Sequence, residues 1–213
     1  MFITLEGIEG SGKSSVVENM ARYLENAGQD VLVTREPGGC NLGLALRAQL
    51  LDPRNSDLSD RAELLLYLAD RAQHVHEVIR PALAAGKLVI CDRYTDSTLA
   101  YQGYGRGQDL CLLRRLNDFA VQDVCPDLTL LLDLPVEKGL ARAIERNVLE
   151  DKVGVEDRFE VETLAFHSRV REGFLKLAEQ DSERFVVLNA DWPLSEVQAE
   201  VRGVLKHYLN FHI

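Results

Sequence analysis

Long apolar runs are missing from this 213-residue chain, and nothing in it approaches the roughly 18 residues that a membrane-spanning helix needs. A basic leader is missing too: Met1 runs straight into the strand-like Phe2-Ile3-Thr4-Leu5, which speaks against secretion and for a cytoplasmic protein. The four cysteines (Cys40, Cys91, Cys111, Cys125) form no CxxC pair, so neither a disulfide framework nor a zinc site is expected. Proline is sparse, with six residues, and no Pro/Ser/Gly-rich stretch separates two halves, which leaves one domain over 1–213. No internal repeat or low-complexity tract occurs. Cations are the scarcer charge, 24 Lys and Arg against 34 Asp and Glu, for a formal net charge of −10. An acidic chain gains little from a polyanion, so nucleic acid is not an expected partner. A mononucleotide needs only a few local cations and backbone amides.

What is present is an alternation of short apolar runs and helical stretches. Residues 2–6 and 30–34 read as strands, as do Leu88–Cys91, Leu128–Leu132 and Phe185–Leu188. Continuous apolar runs between helices signal parallel strands covered on both faces. The expected fold is α/β: a doubly wound, five-stranded parallel sheet flanked by helices. Leu42, Leu46 and Leu50, with Leu51 beside them, predict one helical stripe, and a longer helix is expected from about Ser59, as N-cap, to Leu83. Ligands in such sheets sit beyond the strand carboxyl ends, here after residues 6, 34, 92, 133 and 188.

The strongest local signal is Gly7-Ile8-Glu9-Gly10-Ser11-Gly12-Lys13-Ser14, followed by Ser15, which fits G-x-x-x-x-G-K-[ST]. Glycines let the backbone curl so that N–H groups face phosphates, and the helix beginning near Lys13 adds positive potential. Lys13 is placed to reach the β/γ-phosphates of ATP, and the Ser14 hydroxyl to ligate Mg²⁺. A glycine-rich turn matched by accident is the alternative; chance gives it in on the order of one chain in a hundred, and the strand-to-helix placement lowers that further. The guanine-reading N/T-K-x-D of GTPases is absent, since the last strand leads into Asn189-Ala190-Asp191, and motor ATPases are larger. Small kinases with this phosphate loop remain.

Two aspartates close apolar runs, Asp92 and Asp133. Asp92 is favoured as the second Mg²⁺ ligand because Arg93-Tyr94 follows it, whereas Pro135 follows Asp133. Asp92-Arg93-Tyr94 with Ser97 and Ala100-Tyr101-Gln102 resembles the DRY-x-x-S-x-x-A-Y-Q segment of thymidylate kinases. Thr34-Arg35-Glu36-Pro37-Gly38-Gly39 is similar to the family's T-R-E-P-G-G loop, and Glu63–Tyr67 with Ala69-Asp70-Arg71 to its E-L-L-x-[FY]-x-A-x-R helix. The similarity runs from Met1 to the C-terminal helix with nearly unchanged spacing.

That resemblance implies transfer of the ATP γ-phosphoryl group to dTMP, with Mg²⁺, by a homodimer packed through long helices such as 59–83. It implies that Tyr67 stacks on thymine and Arg71 donates to its O4, with Ser97, Thr98 and Gln102 as further base contacts. Without it, core packing among the neighbouring leucines would be the simpler account of Tyr67. Arg35, beside Pro37, and Arg47 are candidates for the acceptor phosphate, although Arg47 reads equally well as a solvated helix residue. Arg93 would span both phosphates, Tyr101 resembles the ring that blocks a ribose 2′-OH, and Glu9 the carboxylate near the acceptor sugar. The loop carries no arginine, which implies one in a lid at about 147–157. Just ahead of that segment Arg142, in a stretch resembling G-L-x-R-A, is expected against adenine, and Arg146, at the lid entrance, to close on the transferring phosphoryl; Arg158 is the second choice, unless it forms a helix-start ion pair. The segment departs from the pattern, with Glu150, Asp151, Glu156 and Asp157 against only Lys152. Rivals are a deoxynucleoside kinase on the same scaffold and a non-catalytic nucleotide-binding protein; intact Lys13, Ser14, Asp92 and Arg93 oppose the latter.

Overall fold

Each of the five apolar runs forms a strand: β1 Phe2–Glu6, β2 Val31–Arg35, β3 Leu88–Asp92, β4 Leu128–Asp133 and β5 Phe185–Asn189. The structure is a computed structural model that describes residues 1–149, 155, 158–160 and 162–209. The strands lie in one sheet in the order β2-β3-β1-β4-β5, and every pairing is parallel. Alternate residues serve opposite faces. Ile3, Leu5, Leu88 and Ile90 join the larger core cluster, while Phe2, Val89 and Cys91 join Val75, Ile79 and Val121 on the other face. Coverage on both sides is why these strands read as unbroken apolar runs.

The register decides where chemistry can occur. Asp92 pairs with Leu5 on one side and Arg35 on the other, so the phosphate loop, Asp92 and Arg35 leave the sheet at one edge. The helices are α1 Lys13–Asn26, α2 Asn41–Leu51, α3 Asp60–His74, α4 Arg80–Ala84, α5 Thr95–Thr98, α6 Leu110–Val121, α7 Val136–Leu149, α8 Leu164–Gln180 and α9 Leu194–Leu209. Helix α3 starts where expected, with the Ser59 hydroxyl accepting from Ala62 N at 3.3 Å. The stretch to residue 84 is not one uniform helix, because Val75–Ile79 is π-helical before α4. Pro81 supplies no N–H to the carbonyl four residues back, so the ladder loosens one turn ahead of it.

The leucine stripe expected on α2 is buried toward its C-terminal end: Leu42 is exposed, Leu46 half-buried and Leu50 fully buried, with Leu51 packed against the core, and Gly43 is the other buried position of the helix. A Cβ at Gly43 would stand 2.3 Å from Asp70 Oδ1, so the missing side chain is what lets α2 lie close against α3. All four cysteines are free thiols. Among the described residues, no helix is long and apolar enough to cross a membrane, and no cluster of three or more His, Cys, Asp or Glu could hold a metal by itself.

Candidate active site

A cavity of about 590 Å³ opens beyond the carboxyl ends of β1, β2 and β3. Its phosphate-loop wall is Glu9, Gly10, Ser11, Gly12, Lys13, Ser14 and Ser15. Opposite stand Arg35, Pro37, Arg47, Tyr67, Arg71, Asp92, Arg93, Ser97, Thr98, Tyr101 and Gln102, and Arg142 and Arg146 close a third side. Of the phosphate-loop residues singled out in the sequence, Gly7 and Ile8 do not line it; they form the turn behind the wall. The loop after β4 contributes less than expected. Asp133 is held by Arg171 in two contacts of 2.7 and 2.8 Å beside a separate groove, which takes it out of competition with Asp92.

The phosphate loop is clamped from behind. Gly10 has φ +68°, and a Cβ there would meet the Gly139 carbonyl oxygen at 2.0 Å. Only glycine allows the loop to sit on the first turn of α7, the helix that brings Arg142 and Arg146 to the cavity. Lys13 is buried and folds back on its own loop: Nζ donates to Gly7 O at 3.1 Å, Ile8 O at 2.9 Å and Ser11 Oγ at 3.3 Å. Burial, reinforced by repulsion from Arg93, brings the ammonium pKa down to about 8 despite nearby carboxylates.

Arg93 occupies the centre. Its Nη1 donates to Gly7 O at 2.9 Å and Ser97 Oγ at 3.3 Å, and its Nη2 to Glu9 Oε1 at 3.2 Å. Its guanidinium carbon is 5.0 Å from the Tyr101 ring centroid. Its backbone is left-handed, φ +71°, a conformation that costs a non-glycine residue about 1–2 kcal/mol. Glu6 holds it there. This buried carboxylate ends β1 and accepts from Tyr94 N at 2.8 Å, Ser97 N at 3.3 Å and Ser97 Oγ at 2.6 Å. Burial, with Asp96 nearby, raises Glu6 to about 7 although Arg93, Ser97 and Tyr94 favour the ionised form. An acid raised in the fold stabilises it below its unfolded pKa near 4.5 and loses that stability as pH rises through about 7. Wild-type unfolding free energy is therefore expected to drop by about 2–3 kcal/mol more between pH 5 and pH 8 than that of Glu6→Gln. Denaturant titrations of both proteins check this, and parallel curves would contradict it.

The wall opposite the phosphate loop is a buried polar network. Arg71, 1% exposed, donates Nε to Glu36 Oε2 at 2.8 Å, Nη1 to Thr98 Oγ1 and Asn117 Oδ1 at 2.7 Å each, and Nη2 to Tyr94 O at 2.9 Å. Four of its five N–H groups are committed, which leaves one for the cavity it lines. Glu36 in turn meets His74 Nδ1 at 2.9 Å, and His74 Nε2 meets Thr34 Oγ1 at 2.7 Å. Tyr67 is half-buried: it packs against the core cluster and also lines the cavity wall. Arg47 donates to Pro37 O at 3.2 Å. Tyr101 gives its hydroxyl to Glu9 Oε1 at 2.5 Å, and Phe159, Phe166 and Phe174 pack edgewise on its ring.

Arg142 donates to Ala190 O at 3.2 Å. Arg146, half-exposed, contacts Asn147 Oδ1 at 2.9 Å and Glu160 at 3.4 Å. Arg158 does not line the cavity. It is buried in an ion pair with the start of a helix, Nη2 lying 2.6 Å from Oε2 of Glu63 in the first turn of α3 and Nε on Leu50 O. Most of the expected lid, including Glu150, Asp151, Lys152, Glu156 and Asp157, lies outside the described residues. Glu6, Glu36, His74, Glu63, Asn117 and His167 were not singled out as site residues by the sequence. A buried glutamate at a strand end and a histidine between helix residues carry no motif of their own, though Glu36 and Glu63 sit inside stretches that did.

Among the described residues, Lys13 and six arginines line a cavity in a chain of net charge −10, against five carboxylates. That local excess suits polyanionic nucleotides. The comparisons agree. The family model described as thymidylate kinase matches residues 5–201. The thymidylate kinase of Desulfovibrio desulfuricans is 56% identical over 209 residues, 98% of this chain and 96% of that protein. That of Oleidesulfovibrio alaskensis is 56% identical over 205 residues, covering 96% and 97%. The crystal structure of thymidylate kinase from Ehrlichia chaffeensis superposes with a TM-score of 0.76 at 36% identity, covering 96% of this chain and 98% of that one. With the sheet order, the cavity and the similarity all spanning nearly its whole length, the chain belongs to the thymidylate kinase family.

Proposed function

We propose that this chain phosphorylates dTMP to dTDP by in-line transfer of the ATP γ-phosphoryl group, with Mg²⁺, in dTTP synthesis. One observation carries the reading: Lys13, Arg93 and Asp92 share a single cavity with the Tyr67–Arg71 face and with Arg35. Donor and acceptor sides are then continuous, as direct transfer requires. The acceptor atom is a phosphate oxygen already ionised near neutral pH, so no strong base is needed. Lys13 neutralises the β/γ-phosphates, Arg93 spans donor and acceptor phosphates, and Arg35 and Arg47 hold the acceptor phosphate. Tyr67 stacks on thymine while the uncommitted N–H of Arg71 donates to it, with Ser97, Thr98 and Gln102 around the base. Glu9 and Tyr101 face the sugar, and Arg142 lies against adenine.

The residues present fit a divalent cation. Asp92 Oδ1 is a buried acceptor with no partner among the described residues, and the exposed Ser14 hydroxyl borders the same cavity. Asp92 and Ser14 would hold Mg²⁺, which when bound neutralises oxygens of the β- and γ-phosphates.

The proposal extends to a single domain over 1–213 with a lid at about 147–157, most of which lies outside the described residues, a cytoplasmic location without nucleic acid partners, and a homodimer. Exposed Leu65 on α3 and Leu112 and Phe119 on α6, two helices packed side by side, supply an apolar face for the dimer. The activity test is formation of dTDP from ATP and dTMP with Mg²⁺; no turnover of dTMP would overturn it.

The lid-side cation is Arg146, which reaches the cavity while Arg158 is tied to Glu63. A group that meets the phosphoryl chiefly in the closed state is felt in kcat. Arg146→Ala is expected to lower kcat at least about tenfold with little change in the KM for dTMP, while Arg142→Ala mainly raises the KM for ATP. Steady-state kinetics check both, and a normal kcat in Arg146→Ala with collapse in Arg158→Ala would move the role.

A further inference from the structure

Glu63, in the first turn of α3, is 1% exposed and does not line the cavity, yet both of its oxygens are taken. Oε2 accepts from Arg158 Nη2 at 2.6 Å and Arg106 Nη2 at 3.2 Å. Oε1 accepts from Gln102 Nε2 at 2.9 Å and Arg106 Nε at 3.4 Å. Burial opposes ionisation of this carboxyl, but Gln102, Arg106 and Arg158 outweigh it and lower its pKa, so it is an acceptor only. The amide atom facing it is therefore nitrogen, which settles how Gln102 is turned. Gln102 Oε1 accepts from no group among the described residues, and it is not one of the buried atoms left without a partner. In a residue 2% exposed that lines the cavity, the solvent this oxygen keeps is the cavity's.

We propose that Glu63 is a positioning residue that sets base specificity: by holding the amide nitrogen of Gln102 it turns the amide oxygen toward the base, so the pocket takes a pyrimidine carrying an N3–H and rejects one whose N3 is a lone pair. The proposal deepens the reading of this cavity as the dTMP site and rests on it. Arg71 supplies the matching half. Its uncommitted N–H is a donor for a carbonyl at position 4 of the ring, where cytosine carries an amino group. An acceptor at N3 and a donor at position 4 form a pattern that thymine completes and cytosine opposes at both places. The carboxylate that enforces the pattern is itself held still. Arg106 also meets Glu162 at 2.5 Å and lies 4.7 Å from the Phe166 ring centroid, and Arg158 also bonds Leu50 O.

Glu63→Gln is the informative variant. Arg158 and Arg106 only donate, so they claim the one oxygen of the new amide and turn its NH2 toward Gln102, whose own amide then flips and presents N–H to the base. Equilibrium titrations are expected to show dTMP binding at least about tenfold weaker and dCMP binding about threefold tighter, with ATP binding unchanged. Damaged packing alone would weaken both monophosphates alike. Gln102→Leu is expected to weaken dTMP about tenfold and dCMP less than about twofold. Adding Glu63→Gln to it should leave the dTMP-to-dCMP ratio where Gln102→Leu put it. An unchanged ratio in Glu63→Gln, or a further change in the double variant, overturns the proposal. If thermal melts show Glu63→Gln unfolded, Gln102→Leu decides alone, and equal effects on the two monophosphates, or none, overturn it. A wild type that binds neither monophosphate would strike the dTMP reading itself, whereas wild-type selectivity that survives Glu63→Gln strikes Glu63 alone.

Discussion

Lys13→Ala is expected to reduce kcat by about two to three decades while the protein stays folded. On the proposed reading the ammonium would neutralise charge that builds on the β/γ-phosphates, and losing about 3–4 kcal/mol of transition-state stabilisation gives that factor. Stability should survive because the fold does not favour this charge. Burial depresses Lys13 to about 8, below the ordinary value of 10.5, so keeping it protonated at neutral pH works against folding. The variant leaves the Gly7 and Ile8 carbonyls without their Nζ donor, a modest loss beside the relief of a buried cation. Turnover and thermal melts of the two proteins check the pair of statements. Unchanged kcat would remove the phosphate-loop assignment, and collapse of the melt would show that Lys13 is structural.

The strands were legible because parallel strands covered on both faces have no alternative to unbroken apolar runs, as Val89, Ile90 and Cys91 illustrate. The phosphate loop was legible because its glycines answer to backbone geometry, of which the contact between Gly10 and Gly139 is one instance. The leucine stripe of α2 was legible as a helix and its C-terminal end as core, since Leu50 is buried and Leu51 packs against the core. Gly43 was not, because a missing side chain leaves no mark in a hydrophobic pattern. The π-helical turn before Pro81 was hidden for a similar reason, since periodicity alone does not register one extra residue in a turn. Arg71 was singled out by resemblance as a base contact, but the network that holds it was not legible. Its partners Glu36, Thr98 and Asn117 lie 35, 27 and 46 residues away, so only the fold unites them. Glu6 is the same case: its buried partner Tyr94 lies 88 residues away.

Acceptor choice has the other large expected effect. dTMP is expected to be preferred over dUMP by about 10–200-fold, the gain of roughly 1–3 kcal/mol from filling a pocket with one methyl group. UMP should be poorer still. Its 2′-OH would meet Tyr101, which cannot turn aside because its hydroxyl is bound to Glu9 and its ring is wedged by three phenylalanines. A buried hydroxyl without a partner costs about 1–3 kcal/mol, another factor of about ten or more. Thymidine lacks the phosphate that Arg35 and Arg47 would bind and should be a worse acceptor than dTMP.

The most direct measurement is kcat/KM for dTMP, dUMP, UMP, AMP, GMP and thymidine with ATP and Mg²⁺ under one set of conditions. The account predicts dTMP first, dUMP next and UMP below both, with purine monophosphates and thymidine near background. A higher kcat/KM for thymidine, AMP or GMP than for dTMP would contradict it.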